Sequence, residues 1–291
     1  MAQSGVKSLL LHSMALLGDA LRRTPIARWQ WLGRVYANLA VRLSKTESVT
    51  VGPFRVFVDP RDRVIAKKLI LYGGYEQREI DLLCSLVQPG DCVLDIGANI
   101  GLYSLALSRA VGPGGRVIAF EPDPDNAALL RRNLNVNGCT NVTVIEDALG
   151  DESKDVKLYE SEDNRGALST SDVLGVGEEH AIRVRMRRGD AVLAELGVKP
   201  RLAKIDVEGA EPLVIAGLGA QLPQVLMFEF VPQLLRAAGR DPADFLHGLR
   251  SVGYSLAAVD PETGRARELT PAELAAGAVT EAADRNILAR R

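Results

Sequence analysis

The chain has 291 residues, of which 47% are hydrophobic and 25% are charged, and its net charge is −2 at pH 7. This length fits two domains or one extended α/β domain, and the composition excludes a disordered or collagen-like chain. The three cysteines, Cys84, Cys92 and Cys139, form neither a paired-cysteine zinc motif nor a disulfide framework, so we expect a reducing, cytoplasmic location.

The N-terminal segment, residues 1–46, is strongly basic. Seven basic side chains stand against Asp19 alone, which gives +6 and leaves −8 on the rest of the chain. Apolar residues at near-helical spacing predict helices near 5–22 and 26–44. We expect a basic amphipathic helical extension that either packs on its own domain or a partner subunit, or lies on an anionic membrane at its inner face. Its longest apolar stretch is too short to span a bilayer.

Residues 47–90 are expected to lead into the core. Two short runs rich in β-branched and aromatic residues flank Gly52-Pro53, which is typical of a hairpin. Helical patterns follow, and Pro89-Gly90 ends them. The predicted elements are strands at 49–51 and 54–58 and helices near 61–71 and 76–87.

Residues 91–291 alternate short apolar runs with helical patterns, as a mostly parallel sheet with crossover helices requires. We therefore expect a Rossmann-like α/β domain with a seven-stranded, mostly parallel sheet. The predicted strands are 92–95, 116–120, 142–146, 203–206, 225–230, 254–258 and 286–289, and the joining helices lie near 100–110, 124–137, 189–196, 210–217 and 242–250. A segment at 151–185 interrupts the alternation, and its polar loop at 161–168 can shape a substrate mouth.

The first of these core strands runs into a turn of small residues and then a helix. Asp95 ends the strand at the carboxyl edge, where open α/β sheets bind ligands, and Gly97 and Gly101 let a ligand approach the backbone. The dinucleotide fingerprint needs a further glycine between these two, and the sequence has Ala98-Asn99 there. This spacing argues against an NAD site.

Acidic residues also follow the next two strands. Glu121 comes 26 positions after Asp95, at the end of the second core strand, where an acid can accept both hydroxyls of a ribose. Asp147 follows the third strand, where a carboxylate can accept a hydrogen bond from an adenine amino group. Acids in register at three successive strand ends favour an adenosine-containing ligand.

The sequence resembles the FkbM family of class I S-adenosylmethionine-dependent methyltransferases. The residues that carry the resemblance are 72–76 with Glu79, 95–101, 120–122 and 204–211. The resemblance implies S-adenosylmethionine as the cofactor, and O-methylation of a sugar, glycan or natural product as the reaction. It also implies cofactor-binding roles: Asp95, Gly97, Asn99 and Gly101 around the methionine part, Glu121 on ribose, Asp147 near adenine, and Glu76, with Tyr72 and Tyr75, closing over the site.

One position departs from the family's pattern. The family usually reads Thr-Leu-Asp where this chain has Arg187-Arg188-Gly189-Asp190, so that only the acid is retained. The local contact with the methyl acceptor is therefore not carried over.

The fourth core strand ends in a cluster of charges. Lys204 and Asp206 are two apart and share one face of the strand, and Glu208 follows in the turn. Transfer of a methyl group to a hydroxyl requires a group that removes the hydroxyl proton. We expect Asp206 to be the general base and Lys204 to tune its charge or stabilise the developing oxyanion, with Glu208 and Glu229 as reserve bases.

Two other interpretations of these charges stay open. Lys204 and Asp206 can be a strand-end ion pair, with Glu208 favouring the N-terminus of the next helix. Alternatively, Asp206, Glu208 and Glu229 can bind a divalent cation such as magnesium, which would orient two hydroxyls of the acceptor.

Rival functions are an RNA 2′-O-methyltransferase and a non-catalytic protein that binds an adenosine ligand. The charge of −8 outside residues 1–46 argues against a nucleic-acid partner, because phosphate backbones are bound by broad basic surfaces. The sequence does not identify the acceptor, and it allows a homo-oligomer.

Overall fold

The computed structural model describes residues 47–59, 62, 64–160, 168–169, 181–279 and 285–291. These residues belong to two compact units, one up to Tyr75 and the other from Glu76 onward. The helices predicted near 5–22 and 26–44 lie outside the described residues, as does most of the loop at 161–168. Within the described ranges, no helix is both long enough and apolar enough to cross a membrane.

The described elements follow the predicted order closely. The strands are β1 (Ser48–Val51), β2 (Phe54–Phe57), β3 (Cys92–Ile96), β4 (Arg116–Phe120), β5 (Val142–Ile145), β6 (Ala148–Gly150), β7 (Lys154–Glu160), β8 (Leu168–Ser169), β9 (Ala181–Arg188), β10 (Leu202–Ile205), β11 (Val225–Phe230), β12 (Ser255–Val259), β13 (Ala266–Glu268) and β14 (Arg285–Arg290). The helices are α1 (Ile65–Tyr72), α2 (Gln77–Ser85), α3 (Leu102–Val111), α4 (Pro124–Val136), α5 (Gly189–Leu196), α6 (Glu211–Leu218), α7 (Pro232–Ala237), α8 (Pro242–Ser251) and α9 (Pro271–Ala276).

The described residues of the smaller unit form the predicted hairpin and one helix. β1 and β2 pair antiparallel around a two-residue turn in which Gly52 has a positive φ of 54°. α1 ends at Gly73, whose left-handed backbone closes the helix. The hairpin prediction is confirmed.

The larger unit is built on an eight-stranded sheet with the order β13-β12-β14-β11-β10-β3-β4-β5. Neighbours among β11, β10, β3, β4 and β5 run parallel, and β14 is antiparallel to both β11 and β12. The seven predicted strands are all present, so the expected α/β fold is confirmed. An eighth strand, β13, adds to the edge through antiparallel pairing with β12.

Alternate residues of the central strands pack on opposite faces of this sheet, which places it between two helical layers. Leu94 and Ile96 of β3 face a cluster that includes α6 and α8, whereas Val93 faces a cluster that includes α2 and α3. Because α2 buries Ile80 and Leu83 in the second cluster, it belongs to the larger unit rather than to the segment that precedes it.

Three helices begin in the same way, with a capping side chain followed by proline. Asp123 accepts a hydrogen bond from Asn126 N before α4, and Asp241 accepts from the amides of Ala243 and Asp244 before α8. Thr270 forms a capping box with Glu273 before α9. Proline costs no hydrogen bond at the first helical position, because an N–H group at that position has no intrahelical acceptor.

The segment that interrupts the alternation forms its own sheet, with the order β6-β9-β7-β8. β6 packs closely on α6, and a Cβ added at Gly217 would lie 1.8 Å from the carbonyl oxygen of Gly150. Glycine is therefore required at position 217 although it lies inside a helix. This contact joins the four-stranded sheet, called the second sheet below, to helix α6.

We expect Gly217→Ala to lower the free energy of unfolding by about 2–3 kcal/mol, because the new methyl group meets backbone that cannot rotate away. Helix propensity works in the opposite direction, since alanine is favoured over glycine by about 1 kcal/mol in a helix interior. Denaturant unfolding of Gly217→Ala should be compared with Gly248→Ala in α8, where a Cβ meets nothing within 4 Å. The control should be neutral or stabilising, and equal effects of the two substitutions would contradict the packing argument.

Candidate active site

The predicted site residues converge at the carboxyl edge of the central sheet. β3 lies between β10 and β4, and Asp95 is in register with Lys204 on one side and Ala119 on the other. The chain order reverses direction at β3, since β4 and β5 lie on one side and β10 and β11 on the other. Open α/β sheets bind their ligands at such a point.

The turn after β3 is fixed by protein contacts. The amides of Gly97 and Ala98 both donate to the carbonyl oxygen of Phe120 at the end of β4. Gly97 has a φ of 77°, and a Cβ there would lie 1.8 Å from the carbonyl oxygen of Asp206. A Cβ at Gly101 would lie 2.3 Å from Leu130 in α4. Contact with backbone accounts for Gly97, and a φ of 94° accounts for Gly101, so that contact of either glycine with a cofactor stays a prediction.

Glu121 is held under this turn with almost no exposure to solvent. One carboxylate oxygen accepts a hydrogen bond from Asn99 N at 2.7 Å, and the other accepts from Asp123 N at 3.0 Å. Burial raises the pKa of Glu121 to about 7, against the lowering effect of those two amides. The structure thus brings Glu121 and Asn99 together, and it fixes the orientation of the carboxyl group.

Asp95 is fully buried beside the same turn. Its Oδ2 accepts a hydrogen bond from Ser104 Oγ at 2.6 Å, whereas Oδ1 has no hydrogen-bond partner among the described residues. Burial raises the pKa of Asp95, and the nearby Lys204 and Ser104 oppose that shift. The free oxygen is a polar atom that a ligand's donor could satisfy.

Lys204 occupies the centre of the cluster. Its Nζ lies 3.0 Å from Asp206 Oδ2, 3.3 Å from the carbonyl oxygen of Gly97 and 4.8 Å from the ring centroid of Tyr103. Burial by itself lowers the pKa of this ammonium group, but attraction by carboxylates, first Asp206 and then Asp95, outweighs burial and raises the pKa above its ordinary value. Lys204 is therefore a fixed positive charge.

Tyr103 joins Lys204 to Glu76. Its hydroxyl donates to Glu76 Oε2 at 2.9 Å, and its ring lies beneath the lysine ammonium. Sequence reasoning missed both Tyr103 and Ser104. The only available signal was their place in the first turn of the helix that follows the glycine turn.

Three of the predicted residues have strained backbones. The described residues other than glycine with a positive φ are Glu76 at 50°, Asn99 at 49° and Glu208 at 51°. Such conformations cost free energy and persist where the surroundings impose them, which is common in functional sites. All three positions lie within the segments that carry the family resemblance.

The remaining acids lie beyond Lys204. Asp206 is about one-third exposed, and Glu211 is buried and accepts hydrogen bonds from the amides of Val207 and Gly209, which fixes the turn that carries Glu208. Oxygen atoms of Asp206, Glu208 and Glu229 all lie within 4.8 Å of one another, so the three residues named in the cation alternative are brought together.

Burial and the crowding of these acids both favour the protonated form of Glu229. Burial, followed by repulsion from Asp206 and Glu208, raises the pKa of Glu229 to about 10. Its Oε2 is buried and has no hydrogen-bond partner among the described residues. A protonated carboxyl group is not a proton acceptor at neutral pH, which argues against Glu229 as a general base.

Asp147 lies at the outer edge of the site and is paired within the protein. Its Oδ2 is 3.6 Å from Nη1 of Arg187, the residue that departs from the family's pattern. The retained acid, Asp190, forms a two-contact ion pair with Arg188 at 2.8 and 3.0 Å.

We expect Glu229→Gln to stabilise the protein more at pH 8 than at pH 5.5. The folded wild type keeps the Glu229 proton up to about pH 10, whereas the unfolded chain releases it above about pH 4.5. Ionisation therefore favours the unfolded state increasingly as the pH rises through this window, and glutamine abolishes the effect.

Denaturant unfolding at the two pH values checks this expectation, with the exposed Glu268→Gln as the control. A gain that does not depend on pH would contradict the raised pKa. Stabilisation of the wild type alone by added magnesium would instead favour the cation alternative, because a bound cation keeps the carboxylate ionised.

The family model described as the methyltransferase FkbM domain matches residues 95–256. The chain is 46% identical over 118 residues to a protein-L-isoaspartate O-methyltransferase of Aeropyrum pernix, covering 37% of this chain and 44% of that protein. It is 30% identical over 170 residues to the hexuronic acid methyltransferase AglP of Haloferax volcanii, covering 58% and 65%. It is 32% identical over 161 residues to the 31-O-demethyl-FK506 methyltransferase FkbM of Streptomyces tacrolimicus, covering 45% and 61%.

The aligned parts span from 44% to 65% of the length of these three relatives. The family match begins at Asp95 and runs through the ends of β4, β5, β10 and β11 to β12. It therefore includes the glycine turn, Glu121, Asp147 and the Lys204–Asp206 pair. The chain belongs to the FkbM methyltransferase family.

Proposed function

We propose that this protein is an S-adenosylmethionine-dependent O-methyltransferase that acts on a hydroxyl group of a sugar, glycan or natural product. The observation that carries the proposal is the Lys204–Asp206 pair, which lies at the carboxyl edge of the sheet against the Gly97 turn. A carboxylate at this place, held by a fixed positive charge and partly open to solvent, can receive the proton of a hydroxyl group.

The residues around the glycine turn fit S-adenosylmethionine. Glu121 presents a carboxyl group whose two oxygens each accept one amide, and each oxygen retains a lone pair for a ribose hydroxyl. The buried Oδ1 of Asp95 has no donor within the described ranges, and an amino group of the methionine part can supply one. We assign Asp147 to the adenine amino group, from which its carboxylate can accept a hydrogen bond.

The cofactor supplies a methyl group on a positively charged sulfur, so that the protein has to position the acceptor and move one proton. We assign proton removal to Asp206, whose Oδ2 is oriented by Lys204 Nζ. The bound cofactor would supply the methyl group and would keep the electron pair of the broken carbon–sulfur bond on its sulfur, while the Asp206 carboxylate would accept the proton that the acceptor hydroxyl loses. The Lys204 charge also lowers the energy of negative charge that develops on the acceptor oxygen.

The relatives support an oxygen acceptor. Their names describe methylation of hexuronic acid, of demethylated FK506 and of isoaspartate in proteins. An RNA 2′-hydroxyl has the same chemistry, but the charge of −8 on residues 47–291 disfavours binding of a phosphate backbone. A non-catalytic adenosine-binding protein would bind the cofactor without turnover.

We expect the protein to bind S-adenosylmethionine and not NAD in calorimetric titrations. Glu121→Ala should abolish the measurable affinity for S-adenosylmethionine. The substitution removes the acceptor for the ribose hydroxyls and the acceptor of the Asn99 amide. The control is Glu146→Ala, a neighbouring strand-end acid that forms an exposed ion pair with Arg131. Binding of NAD alone would overturn the proposed function and leave only the fold.

We expect Asp206→Asn to reduce turnover at least about 1000-fold while cofactor affinity changes less than about threefold, because the amide keeps the shape but is not a base. Formation of S-adenosylhomocysteine with a panel of hydroxylated acceptors provides the measurement, and the exposed Asp81→Asn in α2 is the control. Full activity of Asp206→Asn would contradict the assignment of Asp206 as the general base.

A further inference from the structure

Arg187 connects the second sheet to the edge of the candidate cofactor site. It lies on β9, where it is in register with Leu149 of β6, and Asp147 precedes Leu149 by two residues. Asp147 in turn follows β5 at the carboxyl edge of the central sheet. The guanidinium group thus reaches from a strand outside the central sheet to the acid expected to meet adenine.

The guanidinium group is held from two sides. Nη1 lies 3.6 Å from Asp147 Oδ2, and Nη2 bonds to Glu195 Oε2 in α5. Glu195 is mainly exposed, so it can anchor the arginine without competing for space near the ligand. A separation of 3.6 Å is longer than a full hydrogen bond, so that this contact leaves the lone pairs of Asp147 available to a ligand.

The Arg187–Asp147 pair is more deeply buried than the neighbouring Arg131–Glu146 pair. The side chains of Arg187 and Asp147 are 17% and 18% exposed, whereas those of Arg131 and the adjacent Glu146 are 46% and 45% exposed. Solvent screens an exposed pair strongly and a largely buried pair much less. The Arg187 charge therefore acts on the orientation of Asp147, and the chain provides a matched pair in which this effect is weak.

We propose that Arg187 is a positioning residue that holds the Asp147 carboxylate for the exocyclic amino group of the cofactor's adenine. The inference rests on the proposed function. An adenine amino group donates to this carboxylate, whereas the carbonyl oxygen of a hypoxanthine ring at the same place repels it. Arg187 thereby sets the preference of the site for an adenosyl over an inosyl ligand.

The test compares S-adenosylhomocysteine and S-inosylhomocysteine in calorimetric titrations. These ligands differ only at one edge of the base, where a carbonyl oxygen replaces the amino group and N1 gains a proton. We expect the wild type to prefer the adenosyl ligand by about tenfold or more, the value of a charge-assisted hydrogen bond gained and a repulsion avoided. Arg187→Gln should reduce this preference to about threefold or less by weakening the adenosyl ligand alone. Arg187→Lys, which retains the charge, should restore part of it.

Two further variants make the test specific. Asp147→Asn should lose the preference by itself, and adding Arg187→Gln to it should cause no further loss, because both substitutions act on one contact. Arg131→Gln, which frees the adjacent Glu146, should retain the wild-type preference. Thermal unfolding of each variant verifies that the fold is intact.

Each outcome decides between the proposals. If the wild type binds neither ligand, the proposed function fails and the inference fails with it. If the wild type prefers the adenosyl ligand and Arg187→Gln has the same preference, the role of Arg187 is refuted while the proposed function stands. Equal weakening of both ligands in Arg187→Gln, without rescue by Arg187→Lys, would also refute it, because a general structural defect does not distinguish the two bases.

Discussion

A buried ammonium group, Lys204 Nζ, lies between the ends of β3 and β10 with Asp206, the Gly97 carbonyl and the Tyr103 ring around it. A buried charge is expensive without partners, and so are the carboxylates that surround this one. The cation and its acids therefore hold one another in the folded state, and removing Lys204 would leave Asp95 and Asp206 uncompensated. The same charge keeps the glycine turn against β10, because the lysine donates to the first residue of that turn. The candidate cofactor site and the proposed proton acceptor, Asp206, are thus positioned by one interaction.

The backbone imposes a second constraint on the same edge. Gly97 leaves room for the Asp206 carbonyl, and Gly101 leaves room for Leu130, so the turn is wedged between β10 and α4. The left-handed backbone at Asn99 then directs its amide to Glu121. The sequence suggested that these two glycines make room for a ligand, whereas the structure shows that they make room for other parts of the protein. A ligand at this edge meets amides and carboxyl groups whose positions are already set.

The strands and the strand-end acids were predictable from the sequence, because the period of the apolar residues fixes where each strand ends and parallel strands end at one edge. The eighth strand, β13, was not, since its three residues are all exposed and show no apolar alternation. The partners of individual side chains also escaped prediction. Tyr103 contacts Glu76, 27 positions away, and Arg187 contacts Asp147, 40 positions away, and such pairs depend on how helices and strands are arranged in space. Local pattern carries no information about that stacking.

The position of β14 has a consequence for the order in which the chain can fold. β14 is made after β12 and β13, yet it lies between β11 and β12 and pairs with both. During synthesis, β11 and β12 each present an unpaired apolar edge until β14 emerges from the ribosome. Such edges are templates for pairing with other chains. Insertion of β14 between β11 and β12 therefore joins the two parts of the sheet, and until it occurs both edges are open to pairing with other chains.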